Sequence, residues 1–157
     1  MRNLSDLNIN EGGRPIARPA PTPAIIDAFE RRFGIPLPDD YVTFLRHANG
    51  GHPELNLIEP VGRKGSAAWA VDHFYHLDDD RSSSESLWVV TERWQRILGK
   101  DFIPFATDGG GNQFVFDLST SPPAVKGCVN DRNFSLVEIA PSFEAFIGGL
   151  SVDPDMI

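Results

Sequence analysis

The sequence predicts an α+β fold: a single domain with a curled, mainly antiparallel sheet and helices packed on one side of it. Two observations carry that expectation. Apolar residues at helical spacing mark both ends of the chain, and short strand-like runs fill the stretch between residues 102 and 140. The connections among those runs are shorter than the dozen or so residues a βαβ crossover takes, so neighbouring strands should run antiparallel.

Each element has its own local signal. Residues 1–21 are polar and rich in Gly and Pro, with Pro15, Pro19 and Pro21 opposing regular structure, so a flexible leader, mobile or loosely docked, is expected ahead of a folded domain at 22–157. Thr22 can cap a first helix through Phe33, with Pro23 in its first turn and Ile25 or Ile26, Phe29 and Phe33 as its buried stripe. The next stretch, IPLPDDYVTFLRHANGG (Ile35–Gly51), is punctuated as a second helix. Pro38 opens it, Asp39 and Asp40 place negative charge at the positive end of the dipole, and Tyr41, Phe44, Leu45 and Ala48 share a face. Asn49-Gly50-Gly51 reads as its stop, because these residue types tolerate a left-handed cap.

Beyond Gly51 the pattern turns to strands. Leu55–Ile58 and Asp72–Leu77 are short candidates, with Gly62-Arg63-Lys64-Gly65-Ser66 and Trp69 in the loop between them. A third helix over about Glu85–Leu98 follows from Leu87, Val90, Trp94 and Leu98, capped by Ser82 in a capping box with Glu85, or equally by Ser84. Four more strands are expected at Phe102–Ala106, Gln113–Leu118, Ala124–Val129 and Leu136–Ala140. Ser142 then caps a last helix whose Phe143, Phe146, Ile147 and Leu150 point inward.

The ordered set of these blocks resembles the SUKH superfamily, bacterial toxin-immunity proteins whose relatives include fungal regulators of cell-wall synthesis. The likeness rests on the first helix AIIDAFERRF (Ala24–Phe33) with Gly34, on Leu37-Pro38-Asp39-Asp40-Tyr41, on Phe44-Leu45 and on Asn49-Gly50-Gly51. It continues through Ile103-Pro104-Phe105-Ala106, Asp108-Gly109-Gly110-Gly111-Asn112, Asp117-Leu118 and the closing helix from Ile139 to Ile147. The resemblance implies an α+β domain that works by binding other proteins.

Composition narrows the functional classes. Hydrophobic residues make up 41% of 157 positions, with eleven Phe and three Trp, enough for one globular core. No apolar run has the length of a membrane span, and the N-terminal stretch lacks the apolar segment of a secretory signal. Cys128 is the sole cysteine, so no internal disulfide can form, which suits a reducing cytoplasm. A net charge of −8 opposes direct nucleic-acid binding and suits long-range attraction to a basic protein.

No catalytic, cofactor or metal motif is assembled along the chain. His73 and His76, near Asp72 and Asp78, fall on opposite sides of a strand and could share an ion only if the segment were irregular. Asp78-Asp79-Asp80 resembles the opening of a calcium loop, but Ser83 and Val89 stand where glycine and a bidentate glutamate are required. It reads as a solvated acidic turn. The Asp108–Asn112 segment lacks a dinucleotide fingerprint and reads as a turn in which Asp108 or Asn112 bonds backbone N–H groups. Asn133-Phe134-Ser135 matches a glycosylation acceptor, inert without secretion.

The expectation is therefore a cytoplasmic, monomeric, non-enzymatic immunity protein that covers a cognate toxin, with basic nucleases the class its charge suits. It would bind neither nucleic acid nor membrane directly and would need no cofactor. The sheet face and the loops at 59–70 and 78–86 would present carboxylates and aromatics: Glu59, Trp69, Tyr75, Asp78, Asp79, Asp80, Glu85 and a partly exposed Trp88. The alternative is a regulatory or scaffolding module like the family's fungal branch.

Overall fold

The computed structural model describes residues 1–10, 18–62 and 67–152. Its helices are α1 (Pro23–Phe33), α2 (Asp39–His47), α3 (Leu87–Leu98) and α4 (Phe143–Gly149). Its strands are β1 (Leu57–Ile58), β2 (Trp69–Ala70), β3 (His73–Phe74), β4 (Phe102–Thr107), β5 (Gln113–Asp117), β6 (Ala124–Cys128) and β7 (Leu136–Ala140). Strands β3 to β7 form one antiparallel sheet in sequence order, and β1 and β2 form a separate two-stranded ribbon. The chain is an α+β domain with helices packed against the sheet.

Capping explains where several helices begin. The Thr22 hydroxyl accepts from the Ile25 N–H at 3.2 Å, and the Ser142 hydroxyl accepts from the Ala145 N–H at 3.1 Å. Pro38 precedes α2 as its cap position, and Asp39 and Asp40 occupy the first turn. Helix α3 starts two residues later than expected. Ser86, not Ser82 or Ser84, is its cap, and it accepts from the Trp88 N–H at 3.3 Å. Ser82 and Ser83 are engaged instead by the carboxylate of Asp80.

The core is an aromatic cluster between the sheet and helices α2 and α4. Phe105 stands at its centre, with ring centroids of Phe116, Phe146, Phe143 and Tyr41 at 4.5, 5.2, 5.5 and 6.0 Å. Such rings combine large apolar burial with edge-to-face and offset contacts worth about 0.5–1.5 kcal/mol per pair. Every residue of β5 is buried, Phe114 and Phe116 on one face and Gln113, Val115 and Asp117 on the other. Both faces of the sheet are thus covered here. That removes the sheet face as a docking surface at β5.

Of the two states expected for the leader, the described part shows the docked one, and Trp69 changes place. The leader is docked over residues 1–10: Leu7 is fully buried, and Arg2 Nη1 donates to the carbonyls of Ile147 and Leu150 at 3.0 and 2.8 Å. A short 3-10 turn, Leu4–Leu7, turns two leucines inward, which polar composition alone does not reveal. Residues 11–17, including Pro15, and the loop residues 63–66 lie outside the described residues. Trp69, expected in a loop, sits in β2 opposite Ile58.

Asn49-Gly50-Gly51 is also built differently from a helix stop. Helix α2 ends at His47, and Ala48 caps it in an extended conformation. Gly50 and Gly51, at φ 87° and 117°, carry the chain past β3, where Gly51 bridges Phe74. A Cβ on Gly51 would run into the side chain of Asn10, so glycine is required by contact as well as by conformation.

Candidate functional site

Asn49 organises the polar side of the molecule. Its side chain is 2% exposed, and its amide donates to the carbonyls of Pro19 and Leu77, both at 2.8 Å. Its carbonyl oxygen accepts from the Leu77 N–H at 2.7 Å. One amide therefore ties the segment before α1, the end of α2 and the chain leaving β3. Residues 78–86 hang from that tie.

The acidic loop is ordered by its own carboxylates. Asp78 accepts from Arg18 Nη1 at 3.0 Å and from the Asp80 N–H at 3.0 Å, and its carbonyl accepts from the Trp88 indole N–H at 2.9 Å. Asp80 accepts from the N–H and hydroxyl of Ser82, both at 3.0 Å, and from the Ser83 N–H at 3.2 Å. These hydrogen bonds from Ser82, with Ser83 and Arg18 adding to them, draw the Asp80 carboxyl down to about 2. Asp79 is exposed and has no ion-pair partner among the described residues. Glu85 is exposed too, with Oε1 3.8 Å from His73 Nε2, and its backbone carbonyl accepts from the His76 N–H at 3.1 Å. The result is a group of four carboxylates in which Asp78 and Asp80 are held by hydrogen bonds and Arg18 while Asp79 and Glu85 are exposed.

The structure divides the residues expected to meet a partner. Asp78, Asp79, Asp80 and Glu85 come together in this loop. Trp69 lies in β2, half-buried, and Glu59 directly follows β1, exposed. The Trp69 indole lies over Gly127 of β6 and meets Phe114 edge-on at 5.6 Å. Only a residue without a side chain leaves room for it there. Tyr75 is buried, its hydroxyl donating to Gln113 Oε1, and burial pushes that phenol up to about 12. Trp88, expected to be partly exposed, is buried between Phe29, at 5.3 Å, and Phe33, at 6.3 Å, with the Arg81 guanidinium 3.7 Å from its ring centre. Tyr75 and Trp88 therefore support the surface from beneath instead of forming it.

The remaining motifs resolve simply. His73 and His76 are partnered separately: His73 Nδ1 lies 2.7 Å from Asp72 Oδ2, and His76 Nδ1 lies 3.2 Å from Asp78 Oδ1. Burial lowers the His76 pKa, with Asp78 pulling the other way. Asp108 accepts from the N–H groups of Gly110 and Asn112 at 2.8 and 3.1 Å, as expected of a turn. Cys128 is buried, and burial raises its thiol to about 11, far from a nucleophile's range. Sequence reasoning missed Asn49 as a tie and His52 as a neighbour of His73, because both contacts join residues more than twenty positions apart. A buried Asn at a helix end was the one available hint.

No helix among the described residues is long and apolar enough to cross a membrane. A surface depression of about 530 Å³ beside Asp27, Glu30 and Gly34 is a shallow groove at the end of α1, lined by no residue of the acidic loop. No curated protein sequence matches the chain significantly. A family match spans residues 20–149, from just before the cap of α1 to the end of α4, and so takes in the whole sheet and the acidic loop. The chain belongs to the SMI1 / KNR4 family (SUKH-1).

Proposed function

We propose that this chain is an immunity protein that acts inside the producing cell and neutralises a cognate toxin by binding it. Family membership supports a protein-binding role, and the carboxylate array at Asp78–Glu85 is the observation that carries the reading further. Clustered carboxylates steer a basic partner, and Asp80, already held by Ser82 and Ser83, loses little side-chain freedom on contact. Asp79, Asp80 and Glu85 would form the charged part of the contact, with Glu59 and the exposed edge of Trp69 as a second patch. A basic nuclease suits this charge best. Inhibition would come from covering or distorting the toxin's active site, with no chemistry performed by this chain.

The test is co-purification from cells in which the neighbouring genes are expressed, followed by titration of the recovered partner. The expected result is one tight partner with toxic activity, silenced at equal stoichiometry. Recovery of several signalling proteins, with no protection from any toxin, would replace this reading with that of a regulatory module like the family's fungal branch.

A further inference from the structure

A second polar cluster lies beside the acidic loop, and its donor chemistry is different. His52, Asp72 and His73 each offer one donor atom, and these atoms all lie within 4.8 Å of one another. His52 Nδ1–H donates to the Asp72 carbonyl at 2.9 Å, which leaves Nε2 as its ligand atom, and His73 Nδ1 stands 2.7 Å from Asp72 Oδ2 in a hydrogen bond that an ion would replace. We infer that this trio binds one borderline divalent cation of the Zn²⁺ class. Two imidazoles and one carboxylate, with no thiolate, favour Zn²⁺, Ni²⁺ or Cu²⁺ over Mg²⁺ or Ca²⁺.

The backbone holds these residues independently of any ion. Asn10 clasps His52: the Asn10 N–H donates to the His52 carbonyl at 2.9 Å, and the His52 N–H donates to Asn10 Oδ1 at 3.0 Å. His73 is fixed in β3 opposite Thr107, and the Asp72 N–H donates to the Thr107 carbonyl at 2.9 Å. Donors on pinned backbone need only side-chain rotation to close on an ion. A tetrahedral ion with bonds of about 2.1 Å spaces its ligands about 3.4 Å apart. Asp72 Oδ2 and His73 Nδ1, now 2.7 Å apart in a hydrogen bond, would open to that spacing around an ion, and the Asp72 side chain is 47% exposed.

The trio borders a small polar cavity. Both imidazoles line a cavity of about 140 Å³ that His76 and Glu85 also line. Three protein donors leave an open position on the ion, and water held there would face this cavity.

The experiment uses the full chain without an affinity tag, stripped with chelator, and titrated with Zn²⁺ by calorimetry and with Co²⁺ by visible absorption. The expected result is one equivalent bound in the micromolar range or tighter, with Co²⁺ broadening the ring resonances of His52 and His73 but not of His47. His52→Gln, His73→Gln and Asp72→Asn should each weaken binding at least tenfold, and His47→Gln should not. Asp72→Asn tests the site even if a histidine variant fails to fold. Absence of saturable binding up to millimolar Zn²⁺ would overturn the assignment. So would unchanged affinity in the His52→Gln/His73→Gln double variant, which would place the ion elsewhere on the acidic surface.

Discussion

Phe105 and Asn49 are both buried, and both stand where several elements meet, yet they hold the molecule in different ways. Phe105 touches six rings, those of Tyr41, Phe74, Phe114, Phe116, Phe143 and Phe146. Those contacts are many, individually weak and tolerant of small shifts. Asn49 makes three directional hydrogen bonds and no aromatic contact. Loss of one atom there disconnects a loop. The aromatic centre sets whether the domain folds, whereas the polar seam sets where the acidic loop sits once it has folded.

Phe105→Ala should give the largest effect. Removing a ring from a closed core costs about 3–5 kcal/mol, a large share of the stability of a domain this size. Urea denaturation should show a lower midpoint with the transition still cooperative. Asn49→Ala should cost less, about 2–3 kcal/mol, because it leaves buried backbone groups of Leu77 unpaired. Its signature should be local: hydrogen exchange at Leu77 and the following loop should accelerate more than exchange at Phe105 or Phe116. Uniform acceleration would erase the distinction between the two regions.

His76 sharpens the comparison through pH. Burial lowers its pKa in the folded state, Arg18 adds to that, and Asp78 and Asp80 oppose it. The unfolded chain therefore binds the proton first, near the usual histidine value of about 6.5. His76 contributes no penalty above that pH and destabilises the fold progressively as pH falls below it. The His76→Gln variant should flatten this limb of the stability profile, read as Tm between pH 7 and pH 5. The smallest expected effect lies in the aromatic centre. Tyr41 is fully buried, and its hydroxyl has no partner among the described residues. Tyr41→Phe should raise stability by up to about 1 kcal/mol, since it removes a desolvated hydroxyl and keeps the ring. A loss of stability would mean that the hydroxyl has a partner, such as bound water.

The two regions were unequally legible in the sequence. The caps Thr22 and Ser142, the apolar stripe of α2 and the strands from Phe102 to Ala140 follow from local spacing, and they are the elements that enclose the aromatic centre. The seam depends on long-range pairs. Nothing near Asn49 announces Leu77, and nothing near His73 announces His52. A run of serines at 82–84 hid the true cap at Ser86, because Asp80 competes for the first two of them. Burial of Trp88 also had a non-local cause, since α1 supplies the rings that cover it.

The most direct measurement of the central claim is a protection assay. A toxin encoded beside this gene is expressed together with the wild-type chain or with a variant carrying Asp79→Asn, Asp80→Asn and Glu85→Gln. The account predicts that the wild type restores growth and that the variant, folded by circular dichroism, protects at least tenfold less well. Equal protection by both chains would contradict the assignment of the acidic loop as the contact surface. Failure of the wild type to protect against any neighbouring toxin would contradict the immunity function itself.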